Sequence, residues 1–121
     1  MEQREEKMEE ILAKLNEWGC NVDVALERLI GDKEFYVDCL KVFKDDENFF
    51  MLKDSLDKKD YKQCFDCAHT LKGIAANLGL KPVCNATSKI IEKLRAEDYS
   101  DLKREYEMVH KEHIKLIEIV T

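Results

Sequence analysis

Apolar residues recur at helical spacing along nearly the whole chain, and no period-2 alternation marks a strand. Met8, Ile11, Leu12, Leu15 and Trp18 predict an amphipathic helix over residues 2–18. Glutamates crowd its start, where the helix dipole favours them, and Gly19 ends it. Asn21 is expected to cap a short helix carrying Val22, Leu26 and Leu29, which Gly31 closes. Asp32 caps the next helix, whose apolar residues are Phe35, Tyr36, Cys39, Leu40 and Phe43. The polar run Lys44-Asp45-Asp46-Glu47-Asn48 interrupts that stripe, and Phe49, Phe50, Leu52 and Leu56 resume it. The pattern predicts either one helix bent there or two helices with a tight break.

Lys58-Lys59 reads as a polar turn, and Asp60-x-x-Gln63 as a capping box opening a further helix that Gly79 stops. Pro82 fits the first turn of the following helix, which buries Val83, Ala86, Ile90, Ile91 and Leu94. After a turn near 98–100, a last helix aligns Leu102, Tyr106, Val109, Leu116 and Val120 on one side. Four long helical segments with short links predict an all-α fold, an up-down-up-down four-helix bundle with additional N-terminal helices. The chain reads as a single domain over 1–121, with covering helices in 1–31 and the bundle in 32–120.

Composition narrows the functions open to such a bundle. The chain has 121 residues, 38% of them charged, with a formal net charge of −6. That acidic balance argues against nucleic acid or an anionic membrane surface as the main partner. No apolar run approaches a membrane span and no secretion signal is visible, so the expected location is cytoplasmic. The five cysteines, Cys20, Cys39, Cys64, Cys67 and Cys84, are odd in number and irregularly spaced, which favours reduced thiols. Cys64-x-x-Cys67 has no second pair and lies on a helical apolar side, so it reads as core. His110 and His113 stand three apart on the last helix without an evident third ligand, and read as a histidine hydrogen-bonded at a bundle edge rather than a metal site.

One histidine stands apart. In the helix opened by Asp60, Cys64, Ala68, Leu71, Ala75 and Leu78 form one stripe. His69 lies roughly 130° from the middle of that stripe at 3.6 residues per turn, so it should face water. Its neighbours on that face are Phe65, Lys72, Gly73 and Ala76. A neutral imidazole is a capable nucleophile near pH 7, and an ammonium one turn away can neutralise phosphoryl oxygens. Gly73 and Ala76 leave room for a phosphoryl group and a partner's active site. Glycine in mid-helix costs about 1 kcal/mol against alanine, which asks for a reason such as close approach.

The string His69-Thr70-Leu71-Lys72-Gly73, followed by Ala75-Ala76-Asn77-Leu78-Gly79, resembles the signature of histidine-containing phosphotransfer (HPt) domains of two-component phosphorelays. Val22 to Leu29 with Gly31-Asp32 is similar to the family's opening segment, and Leu40 and Phe43 fall where it places an LxxF pair before an acidic break. The resemblance spans about residues 19 to 119. It implies that His69 accepts a phosphoryl group from a receiver-domain aspartate and passes it to another receiver. It also implies that Lys72 stabilises the phosphoryl charge, that Gly73 gives steric access, and that Phe65 and Ala76 belong to the docking surface. The partners implied are response-regulator receiver domains, with a hybrid sensor histidine kinase as a further candidate. Mg²⁺ would sit on the receiver, and the chain itself would need no cofactor and no metal. It would be a stoichiometric phosphocarrier rather than an enzyme, and a monomer.

One departure stands out. Related domains often present a glutamine or glutamate from the next helix toward the active histidine, and the matching position here is Ile91. Three other readings stay open at this point. The chain could be an adaptor that keeps the fold without phosphotransfer, the excised phosphoacceptor module of a hybrid or chemotaxis kinase, or a metal or redox bundle using Cys64, Cys67 and His113.

Overall fold

A computed structural model describes residues 2–121. Among the described residues seven helices follow one another: α1 (Glu2–Trp18), α2 (Val22–Arg28), α3 (Lys33–Phe43), α4 (Glu47–Asp57), α5 (Tyr61–Asn77), α6 (Lys81–Arg95) and α7 (Leu102–Val120). No strand occurs among the described residues. Helix α5 packs between α4 and α6, α6 lies between α5 and α7, and α7 returns to α4, which closes a four-helix bundle. Helix α3 continues α4 beyond the break and lies on α7, while α1 packs on α3 and α7.

The helix starts follow the side chains expected to cap them. The carboxylate of Asp32 accepts a hydrogen bond from the Phe35 N–H at 3.0 Å, and that of Asp60 from the Gln63 N–H at 3.1 Å. Each satisfies one of the donors a helix start leaves unpaired. Only half of the capping box forms, because Gln63 turns its amide toward Cys67 Sγ and the Asp60 N–H bonds Ser55 O instead. Asn21 sits at the α2 start, but its side chain makes no capping bond. Its backbone N–H donates to Gly79 O at 2.8 Å, tying the α1–α2 junction to the turn after α5.

The polar run at 44–48 gives two helices, not one bent helix. Asp46 is extended and its carboxylate accepts from the Asn48 N–H at 2.8 Å, restarting the chain as α4. From across the bundle, His113 Nε2–H donates to Lys44 O at 2.6 Å, and its ring stacks on Phe49 at 3.6 Å. His113 is therefore the edge histidine expected of this helix, and it stitches the break shut. Burial depresses its basicity; the contact with Lys44 O and the Asp45 charge oppose that shift, while His110 adds to it. Since its folded pKa lies below the ordinary 6.5, protonation favours the unfolded state. Stability is expected to hold above pH 6.5 and to decline as the pH falls below about 6.5. Urea midpoints across that range, compared with His113→Gln, check this: a wild-type curve as flat as the variant's would reject it.

Two aromatics expected in the apolar stripes are not in the core. Phe35 is 52% and Phe50 72% exposed. Tyr36, Val37, Leu40 and Phe43 fill the inner face of α3, and Phe49 and Leu52 that of α4, so one neighbour of each pair is turned out. At 100° per residue, Phe35 and Phe50 each lie about 130° from the middle of those inner faces. Tyr36 is fully buried and its hydroxyl donates to Leu78 O at 2.7 Å, which satisfies a carbonyl at the end of α5.

Candidate functional site

Helix α5 carries the residues singled out in the sequence, and its inner face explains their placement. Cys64, Cys67, Ala68, Leu71 and Ala75 are buried against the neighbouring helices. Burial pushes the Cys64 thiol up to about 11 and raises that of Cys67 as well, so both behave as protonated, small apolar groups. Among the described residues no three His, Cys, Asp or Glu side chains are placed to share a metal ion. No helix among them is long and apolar enough to cross a membrane.

The opposite side of α5 is open. His69, Gly73 and Ala76 are exposed, and Phe65 and Lys72 are half-buried. The five residues expected to act together therefore share one helix face. The Phe65 ring lies 5.9 Å from the His69 ring in a near-parallel stack, so the imidazole rests on an apolar platform. A side chain added at Gly73 would meet nothing within 4 Å. The fold of this chain thus places no demand for glycine there, although glycine in mid-helix costs about 1 kcal/mol.

Three groups that sequence reasoning missed complete the site. Arg95, at the end of α6, lies over the Phe65 ring with its guanidinium carbon 5.5 Å from the centroid. Such a cation over an aromatic face is held by the ring quadrupole. Arg28, at the end of α2, donates from Nη1 to Ala76 O at 2.8 Å. Lys72, Arg28 and Arg95 thus form a positive rim on a chain whose net charge is −6. Cys84, on α6, points its thiol at Lys72 O at 3.8 Å; burial raises its pKa and the Lys72 charge pulls against that rise. Helical periodicity could have suggested Arg95, which lies four residues beyond Ile91. No local signal marks Arg28.

Ile91 itself is 1% exposed. It faces the packed side of α6, and its chemistry offers the imidazole nothing. What the face presents is an exposed nucleophile, a cationic rim and a flat, open approach. That combination suits transfer of an anionic group from a bulky partner, since such transfer needs positioning and charge neutralisation above all.

A family model described as the Hpt domain matches residues 42–117, from the end of α3 to the last turns of α7. No curated protein and no solved structure matches the chain. The matched span holds α4, α5, α6 and most of α7, with the exposed histidine face of α5, and the chain belongs to the Hpt domain family, whose members serve histidine phosphotransfer in phosphorelays.

Proposed function

We propose that this protein is a phosphocarrier in which His69 receives a phosphoryl group from the aspartyl phosphate of a receiver domain and hands it to a second receiver. A lone pair on the imidazole attacks phosphorus in line, the N–P bond forms, and the acyl-phosphate P–O bond breaks. The electron pair of that bond returns to the aspartate carboxylate. Lys72 supplies a point charge to the phosphoryl oxygens, and Arg95 and Arg28 steer the acidic mouth of the receiver. Mg²⁺ belongs to the receiver in this scheme. The chain contributes the nucleophile, the positive rim and the docking face, with no nucleotide of its own. We place this exchange in the cytoplasm and take the carrier as a monomer.

The observation that carries this reading is the pairing of His69 with Gly73. The glycine is costly in the helix and unexplained by the chain's own packing, so the space above it serves something outside the chain. Gly73→Leu is accordingly expected to fold with unchanged or higher melting temperature, since leucine favours helix and meets open space. It should slow transfer by about 100-fold or more, because a misplacement of about 1 Å at a reacting pair already costs that much. Unimpaired transfer by this variant would remove the close-approach argument. The function itself is tested by radiolabel transfer from an aspartyl-phosphorylated receiver to the wild type and to His69→Gln, with the bond type read from its stability in acid and alkali.

A further inference from the structure

The imidazole of His69 is exposed, yet no polar group of the chain holds it. Among the described residues only His113 uses its ring in a hydrogen bond, and Ile91 is buried with no polar side-chain atom to offer. An exposed side chain without a partner hops between rotamers, which does not suit a nucleophile that must meet phosphorus in line. What the ring does touch lies on its own helix. Helical side chains lean toward the N-terminus, so the imidazole at 69 comes down over the turn that carries Phe65. The two rings lie 5.9 Å apart with 20° between their planes, within the range of an offset aromatic stack.

This stack alone marks no function. Tyr106 and His110 repeat it on α7 at the same four-residue spacing, with centroids 6.0 Å apart and 18° between planes. Phe65 differs from Tyr106 by a third layer that comes from another helix. The Arg95 guanidinium carbon lies 5.5 Å from the Phe65 centroid. Arg95 is exposed and enters no ion pair among the described residues, so the Phe65 ring is the group that holds its charge. It reaches the ring from the side of Tyr61 and Lys62, with which it borders a small cleft, whereas His69 reaches it from the following turn of α5. The phenyl ring is thus held between a cation from α6 and the imidazole from α5. Stacking restrains an imidazole in a way that a hydrogen bond does not. It fixes the plane of the ring, while the lone pair and the N–H, which lie in that plane, stay free for phosphorus and for solvent.

Resting on the phosphocarrier reading, we infer that Phe65 is the positioning residue of His69 and that Arg95 acts through it: guanidinium, phenyl ring and imidazole form a three-layer stack across α6 and α5 that holds the nucleophile in one orientation for the receiver. In this role Phe65 gives its faces to Arg95 and His69 and leaves only its edge to a docking partner.

The test compares the full chain with Phe65→Leu, Phe65→Tyr and Arg95→Gln. Three-bond NMR couplings from the backbone to Cγ of His69 report its χ1, and those of His110 serve as the reference. Phosphotransfer is measured at saturating aspartyl-phosphorylated receiver, where steering by charge no longer contributes to the rate. The wild type is expected to show the couplings of a single His69 rotamer. Phe65→Leu, which keeps an apolar side chain, should average them and lower the saturated rate by about fivefold, the effect of losing one aromatic pair. Phe65→Tyr keeps the ring and should stay within about twofold of wild type. Arg95→Gln should average the His69 couplings in part and leave those of His110 unchanged, although the guanidinium lies over Phe65 rather than over His69. His69 couplings that are already averaged in the wild type, or that do not change in Phe65→Leu or in Arg95→Gln, overturn the inference. So does a Phe65→Tyr variant as slow as Phe65→Leu at equal melting temperature. If the couplings respond as expected but the wild type takes up no label, the stack holds and the phosphocarrier reading fails.

Discussion

His69→Gln is expected to take up no label from an aspartyl-phosphorylated receiver, with transfer at least about 10³-fold below wild type, the scale of losses when a nucleophile is removed from an otherwise intact site. The wild type should carry label that is labile in acid and stable in alkali, the behaviour of an N–P bond. Glutamine keeps a polar side chain of similar reach and a helix propensity at least as good as histidine's. His69 is exposed and outside the core, so the substitution should alter stability by less than about 0.5 kcal/mol. Loss of label therefore cannot be laid to unfolding, and matching melting curves verify that. Label that persists on His69→Gln would move the acceptor elsewhere, and the exposed His110 would be the next group to replace. The other half of the result concerns the rim. Steering by Lys72, Arg28 and Arg95 predicts a transfer rate that falls with added salt, because exposed charges are screened within about 10 Å at 0.1 M.

Gly79→Ala is expected to destabilise the fold by about 2–4 kcal/mol, seen as a melting temperature lower by roughly 10 °C. Two costs combine. Gly79 has φ of +70°, a left-handed conformation that an L side chain adopts at a cost of about 1–2 kcal/mol. A methyl group there would also lie 3.0 Å from the Asn21 carbonyl carbon and 3.2 Å from Ala25 Cβ, with the Asn21 oxygen closer still. The atoms in the way are mostly backbone, held by the bond from Asn21 N–H to Gly79 O, so relief requires α2 to move away from the end of α5. Gly31→Ala separates the two terms. Gly31 also has a positive φ, +73°, but nothing lies within 4 Å of an added methyl. It should show the conformational cost alone, about 1–2 kcal/mol. Equal losses in the two variants would show that the Asn21 contact contributes nothing. Because Arg28 reaches Ala76 from α2, the displaced junction in Gly79→Ala should also weaken the positive rim, and transfer should fall even at temperatures where the variant remains folded.

Much of this protein was legible in its sequence because much of it is local. Helix α1 runs over the residues its apolar spacing marks, and Asp32 and Asp60 cap the helices they open. Gly79 stops α5, and Pro82 sits in the first turn of α6. These features depend on residues within a turn or two of one another. The exposure of His69 belongs with them, since a single stripe of small and apolar residues decides which side of α5 is buried.

What local pattern could not decide is everything that depends on which helix lies beside which. Asn21 has the side chain of a cap but uses its backbone to reach Gly79, which lies far along the chain. Arg28 and Arg95 come from helices on either side of α5, and only the packing of α2 and α6 brings their charges to its open face. The sequence alone determined the helices and the side of α5 on which His69 stands, because period and capping are short-range. The tertiary structure decided the company His69 keeps there, because the side chains around it come from segments that meet only when the bundle closes.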